Sequence, residues 1–151
     1  MINGVRGLVN NNPLNVKVNP GVDTWEGQIG HDDLGHAIFS DPVFSVRACL
    51  ITMANYQRRG KHTLRQIFET YAPESDGNQP NRYAAFVGKR VGLDIDVQVK
   101  LFSDEDGRIW NKDFMKRFIA AMLEMEVFAG YQLSEETILS GIAYYEYSRC
   151  K

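Results

Sequence analysis

From residue 41 onward, apolar residues recur at three- and four-residue steps between clear helix punctuation, whereas the first 40 residues lack that period. Asp41-Pro42 has the form of an N-cap followed by proline at the first helical position, so a helix is expected to run to about Arg59, with Gly60 just past its end. Thr63-Leu64-Arg65-Gln66 has capping-box spacing and opens a short helix to about Tyr71, stopped by Pro73. A third helix is expected from Pro80 or Asn81 to Val91, ended by Gly92. Asn111 caps a fourth that reaches about Phe128, and Ser134 starts a last one that reaches about Ser148. The stretch from Leu93 to Gly107 is acidic and aperiodic. Before residue 41, Asn10-Asn11-Asn12-Pro13, Asn19-Pro20-Gly21 and Asp32-Asp33-Leu34-Gly35 predict turns, with short extended pieces at Asn15–Val18 and His36–Phe39. The pattern predicts a mainly α protein: one domain over residues 1–151, about five helices, an irregular N-terminal lobe and at most a short hairpin.

The fourth helix carries the most informative residue. Met115, Phe118, Ile119, Met122, Met125 and Ala129 form one apolar stripe. At about 100° per residue, Glu126 falls about 40° from Met122, inside the stripe, while Glu124 falls about 200° away, among Asp113 and Arg117. A carboxylate on an apolar face loses hydration unless it is paired or keeps its proton. A glutamic acid held protonated near neutral pH is what glycosidic cleavage requires of a general acid. The plain alternative is a helix-end Glu that reaches water or pairs with an arginine.

Composition narrows the remaining choices. The 151 residues suit one domain, and 44% apolar and 24% charged residues are ordinary values for a globular chain. A net charge of −2 gives no general pull toward nucleic acid or anionic lipid, and Arg58, Arg59, Lys61 and His62 read as a solvated helix end. Cys49 lies in an apolar helical run and reads as a small buried hydrophobe; Cys150 stands next to the last residue. His31, His36 and His62 share no metal spacing, so neither a metal nor any other cofactor is expected. Met1 to Val9 has no signal-like apolar run and no segment approaches a membrane span, so synthesis in the cytoplasm without a signal peptide and no membrane insertion are expected.

A resemblance adds to this reading. Arg6-Gly7-Leu8-Val9-Asn10-Asn11-Asn12-Pro13-Leu14-Asn15-Val16 resembles the "RG-(two residues)-NNNPGNI" opening of a family of phage-borne, lysozyme-like proteins that degrade peptidoglycan. Trp25-Glu26-Gly27 is similar to that family's Trp-x-Gly segment. Gly35-His36-Ala37-Ile38-Phe39 with Asp41-Pro42 and Ser45-Val46-Arg47-Ala48 is similar to its "G-F-A-x-F…P…G-(I/V)-R-A" stretch. Asn55-Tyr56-Gln57, Thr63–Ile67, Tyr71-Ala72-Pro73, Tyr83 and Val91-Gly92-Leu93 follow in order, and Ala121-Met122 with Glu126 fall at its "A-(I/M)…E-x-G" position. The chain departs from the family at Leu14 and Ser45, each where glycine is usual, and at Val127 and Phe128, where a glycine is expected near the acid. If position 14 requires positive φ, Leu14 is strained and the loop is rebuilt.

The resemblance implies a lysozyme-like fold and cleavage of the MurNAc–GlcNAc β-1,4 bond, with Glu126 as the acid. Many lytic transglycosylases place an Asn-rich loop after the catalytic glutamate helix. Here that helix is expected at the C-terminal end instead, as a circular permutation would place it. Asp33 and Asp32, then Glu26, are the candidates for a second carboxylate, which a hydrolase needs and a transglycosylase does not. Asn12 and Asn15 are candidates to shape the sugar groove, and Trp25 and Tyr56 to stack on sugar faces. Expected partners are peptidoglycan strands and other phage virion proteins, and the expected place of action is the virion or the host wall in the periplasm. The alternatives are a non-catalytic virion component, a two-carboxylate lysozyme and a secreted antibacterial effector.

Overall fold

A computed structural model describes residues 2–19 and 24–149. Among them the protein is mainly helical: α1 Ile2–Val9, α2 Val43–Arg58, α3 Leu64–Tyr71, α4 Pro80–Val91, α5 Lys112–Glu126 and α6 Glu135–Arg149, with one antiparallel pair, β1 Gln28–His31 and β2 Ala37–Phe39. Pro20, Gly21 and Cys150 lie outside the described residues.

Helix boundaries follow the predicted chemistry. Asp41 Oδ1 accepts the Val43 amide at 2.9 Å. Thr63 and Gln66 complete a reciprocal capping box, Pro80 opens α4, and Gly92 closes it in the left-handed region. Asn111 Oδ1 accepts the Phe114 amide at 2.9 Å, and Ser134 Oγ accepts that of Thr137 at 3.1 Å. The expected extended piece at Asn15–Val18 pairs with the start of β2, through a Lys17–His36 bridge and the bond from the Ala37 amide to the Val16 carbonyl.

Two expectations are corrected. The N-terminal segment is not wholly turns, because α1 precedes the asparagines. It ends on them for a definite reason: Asn11 takes φ +51°, the Asn12 amide bonds the Gly7 carbonyl and the Asn11 amide that of Leu8. That is a Schellman closure with asparagine in the left-handed position. Second, α5 stops at Glu126, not Phe128, so Ala129 leaves the helix and is exposed, and Met125 is only half-buried. Leu123 and Val127 are buried in their place.

The chain forms two compact units, Met1–Ile51 with Met122–Lys151 and Thr52–Ala121. It passes from one to the other inside α2 and returns inside α5. In the first unit Leu14, Val16, Ala37, Phe39, Val46, Leu50, Ile142 and Tyr145 are buried, and Gly141 of α6 lies against Val46 of α2. Cys49 is fully buried in the same core. In the second unit Phe68 stacks on Tyr83, with ring centroids 4.3 Å apart, and on Phe118 at 6.0 Å. Burial of such rings supplies most of a small core's stabilisation.

Candidate active site

The first unit is organised by the loop that follows α1. A loop whose backbone is buried must find partners for its amides and carbonyls, and here asparagine side chains supply them. Asn12 is fully buried. Its Nδ2 donates to the Val16 and Ala37 carbonyls at 2.9 and 2.8 Å, and its Oδ1 accepts the Val16 amide at 3.0 Å. Asn11 donates to the Phe39 carbonyl at 3.1 Å and Asn10 to Asp32 at 3.0 Å. Asn12 therefore joins two strands and has no donor left for a sugar, so its expected place in a substrate groove is corrected.

Leu14 is corrected as well. The positive φ angles of this loop fall on Asn11 and Asn15, at +51° and +52°, so leucine at position 14 carries no left-handed strain. Its side chain is fully buried and anchors the loop in the core. Ser45 is buried with its hydroxyl donating to the Pro42 carbonyl at 2.8 Å.

Asn15 behaves differently from its neighbours. Its Nδ2 donates to Glu126 Oε1 at 2.9 Å and lies 3.4 Å from the Glu126 main-chain carbonyl. The loop and the last turn of α5, 111 positions apart in the chain, thus meet at the half-buried carboxylate that the helical wheel selects. Gly7 makes room for the meeting: a Cβ there would lie 2.8 Å from the Asn12 carbonyl oxygen and 3.0 Å from Asn15 Oδ1. Glu124 is half-buried too, contrary to the expected solvent position, because its Oε1 accepts the Gly130 amide at 2.9 Å as the chain reverses after α5. Val127 is buried and Phe128 exposed, packed edge-on against Tyr131.

The candidate second carboxylates divide. Asp33 is 78% exposed and pairs with Arg6, and Glu26 is exposed and pairs with Arg47 at 3.0 Å. Asp32 is no solvated turn residue, being only 8% exposed. Its Oδ1 accepts the Leu34 and His36 amides, both at 2.9 Å, while Oδ2 faces Asn10, His36 Nδ1 at 3.3 Å and Arg6 at 3.6 Å. Burial alone would raise its pKa. The His36 and Leu34 amides, the Asn10 amide and the neighbouring His36 outweigh that and hold it below the ordinary carboxylate value. A carboxylate so engaged is a poor nucleophile or base. A sequence signal for this hub exists in the Asp32–His36 spacing across a four-residue turn, but the contributions of Asn10 and Arg6 come from far along the chain.

Trp25 is half-buried, its Nε1 donating to the Lys17 carbonyl at 2.9 Å. Gly27, two residues on, has φ +82°, and a Cβ there would run into the Phe44 ring at 2.2 Å, which explains glycine at this position. Tyr56 is half-buried on α2 and belongs to the second unit. Among the described residues no cluster of three or more His, Cys, Asp or Glu is arranged to hold a metal ion, and no helix is long and apolar enough to cross a membrane.

Over 124 residues the chain is 31% identical to Protein P5 of Pseudoalteromonas phage PM2, an alignment that covers 80% of this chain and 70% of that protein. No family model matches the chain.

Proposed function

The chain belongs to the family of Protein P5 of Pseudoalteromonas phage PM2, a bacteriophage family, and on that premise we propose that it cleaves the glycan strands of bacterial peptidoglycan as a lytic transglycosylase, with Glu126 as general acid and base. One observation carries this reading: Glu126, half-buried at the end of the amphipathic helix α5, meets Asn15 of the Asn-rich opening at 2.9 Å. Those are the two segments that the helical wheel and the resemblance single out separately. In its acid form a carboxyl at this position can give a proton to the glycosidic oxygen. The C1–O bond then breaks with oxocarbenium character, which the substrate's own N-acetyl group stabilises. Glu126 takes back a proton as the 6-hydroxyl of the muramic acid closes on C1. One carboxylate serves both halves of this sequence, which agrees with Asp32 being saturated by its own loop and Asp33 and Glu26 being paired at the surface. The protein acts from the virion, opening the wall during DNA entry, or on the periplasmic wall at lysis.

Purified protein on sacculi tests the reading. Clearing is expected for wild type, loss of clearing in Glu126→Gln with an unchanged or raised thermal midpoint, and near-normal clearing in Glu124→Gln, whose amide oxygen can still accept the Gly130 amide. Products should end in 1,6-anhydro-muramic acid, about 18 Da lighter than hydrolytic products by loss of one water. Reducing-end muramic acid, with Asp33→Asn or Asp32→Asn inactive, would instead identify a two-carboxylate lysozyme. A second reading, a non-catalytic virion component, is favoured by apolar side chains left in solvent on the first unit: Val5 and Val9 of α1 are 62% and 76% exposed. Wild type that clears nothing yet assembles into particles would establish it.

A further inference from the structure

We propose that Asn15 is the positioning residue of Glu126, holding Oε1 as a permanent acceptor so that Oε2 is the oxygen that carries and delivers the proton. The proposal rests on the reading of Glu126 as the acid. Its basis is the pair of acceptors that Asn15 Nδ2 faces: Glu126 Oε1 at 2.9 Å and the Glu126 main-chain carbonyl at 3.4 Å. The carbonyl can only accept, whatever the protonation state of the side chain, so it fixes which end of the Asn15 amide points toward Glu126. Turning the amide over would set Oδ1 against that carbonyl oxygen. Oε1 therefore meets an N–H in both the acid and the carboxylate form. A proton on Oε1 would face that N–H, which leaves Oε2 as its seat.

The other half of the amide shows what the side chain is for. Asn15 Oδ1 is buried, close over Gly7, and accepts no hydrogen bond from a described residue. Buried amides chosen for stability satisfy both ends, as Asn12 does three positions earlier. Asn15 keeps only its donor satisfied, and that donor serves Glu126. The backbone supports the aim: φ of +52° with the Asn15 amide bonded to the Asn12 carbonyl fixes the Cα–Cβ direction, a conformation asparagine adopts more readily than most residues.

Asn15→Gly removes the amide and keeps the left-handed backbone. Asn15→Asp keeps the side-chain shape and puts an acceptor where the donor stood. On sacculi, both should lower kcat about 100-fold with KM unchanged, since misplacing a reacting group costs rate and not ground-state binding. As a readout independent of turnover, the Asn15 side-chain NH2 cross-peak in a 15N–1H spectrum should move in Glu126→Gln further than those of Asn10 and Asn12. A raised KM with kcat retained would overturn the proposal and make Asn15 a sugar-binding residue. Normal kcat in Asn15→Gly beside an inactive Glu126→Gln would overturn it while leaving the acid in place, as would an Asn15 cross-peak indifferent to Glu126→Gln. An active Glu126→Gln would remove the acid itself and the proposal with it.

Discussion

Two irregular stretches of this protein, Asn10–Val18 and Leu93–Gly107, solve opposite problems. The first is mostly buried, and asparagine side chains tie it together and to β2: Asn12 bonds the Val16 amide and carbonyl and the Ala37 carbonyl, and Asn11 the Phe39 carbonyl. The second is mostly exposed; Leu101 and Phe102 are buried, with Gln57 bonding both of their amides and the Phe102 carbonyl, and backbone bonds tie Ile95 to Arg65 and Val99 to His62. Elsewhere it is laced by surface pairs, Arg65 with Asp96 at 2.7 Å and Lys100 with Asp104 at 2.8 Å. A loop can sit in a core when side-chain amides replace the missing ladder, and it then becomes rigid enough to aim a side chain at a distant helix. A loop on the surface can take its partners from neighbouring backbone, as the Ile95 carbonyl accepts the Arg65 amide at 3.1 Å and the Val99 amide donates to the His62 carbonyl at 2.7 Å.

The comparison can be broken in four places. Leu14→Gly should cost the most, about 3–5 kcal/mol by chemical denaturation, because it opens a cavity under the buried loop and adds backbone freedom to the unfolded chain. A loss below about 1 kcal/mol would mean the loop does not depend on its core anchor. Asn12→Leu keeps the bulk, removes three hydrogen bonds and leaves the Val16 amide without its acceptor, so about 1–3 kcal/mol should be lost, with amide exchange accelerated at Val16.

Asp32 supplies a pH-dependent test. Its folded pKa lies below the unfolded value, so the folded state holds fewer protons, and the stabilisation is fully present above the ordinary carboxylate range. It is lost as pH falls through the lowered folded pKa. Thermal midpoints measured from pH 6 downward should therefore fall in wild type. Asp32→Asn should begin lower, by about 1–3 kcal/mol, and show a shallower acid limb. Parallel curves for the two proteins would show that Asp32 does not couple the loop to pH. The smallest effect belongs to the surface loop, where Asp96→Asn and Lys100→Ala should leave the thermal midpoint unchanged within error, since exposed pairs are screened by solvent.

Much of the architecture was legible because helix ends are local chemistry. Asp41, Thr63 with Gln66, Asn111 and Ser134 cap the helices they were expected to cap, since a cap needs only a side-chain oxygen within three residues of an amide. The α1 helix was hidden because eight residues with two glycines give little local signal, and its end is set by a left-handed Asn11. At the site, the wheel separated Glu126 from Glu124 by angle alone, but it could not see that Glu124 would be recruited by the reversal at Gly130.

The sequence by itself determined the five helices from α2 to α6, their caps, the mainly α class and the candidacy of Glu126, since each depends on residues within a few turns of one another. Only the tertiary structure decided which asparagine does what. Asn10, Asn11, Asn12 and Asn15 are the same side chain in nearly the same sequence setting, and turn chemistry treats them alike. What separates them is the partner each meets once the chain closes: a buried aspartate, a strand carbonyl, two strands at once, and a glutamate 111 positions away. Hydrogen bonds are made to whatever lies within about 3 Å, and that neighbourhood exists only after the core around Leu14 has formed.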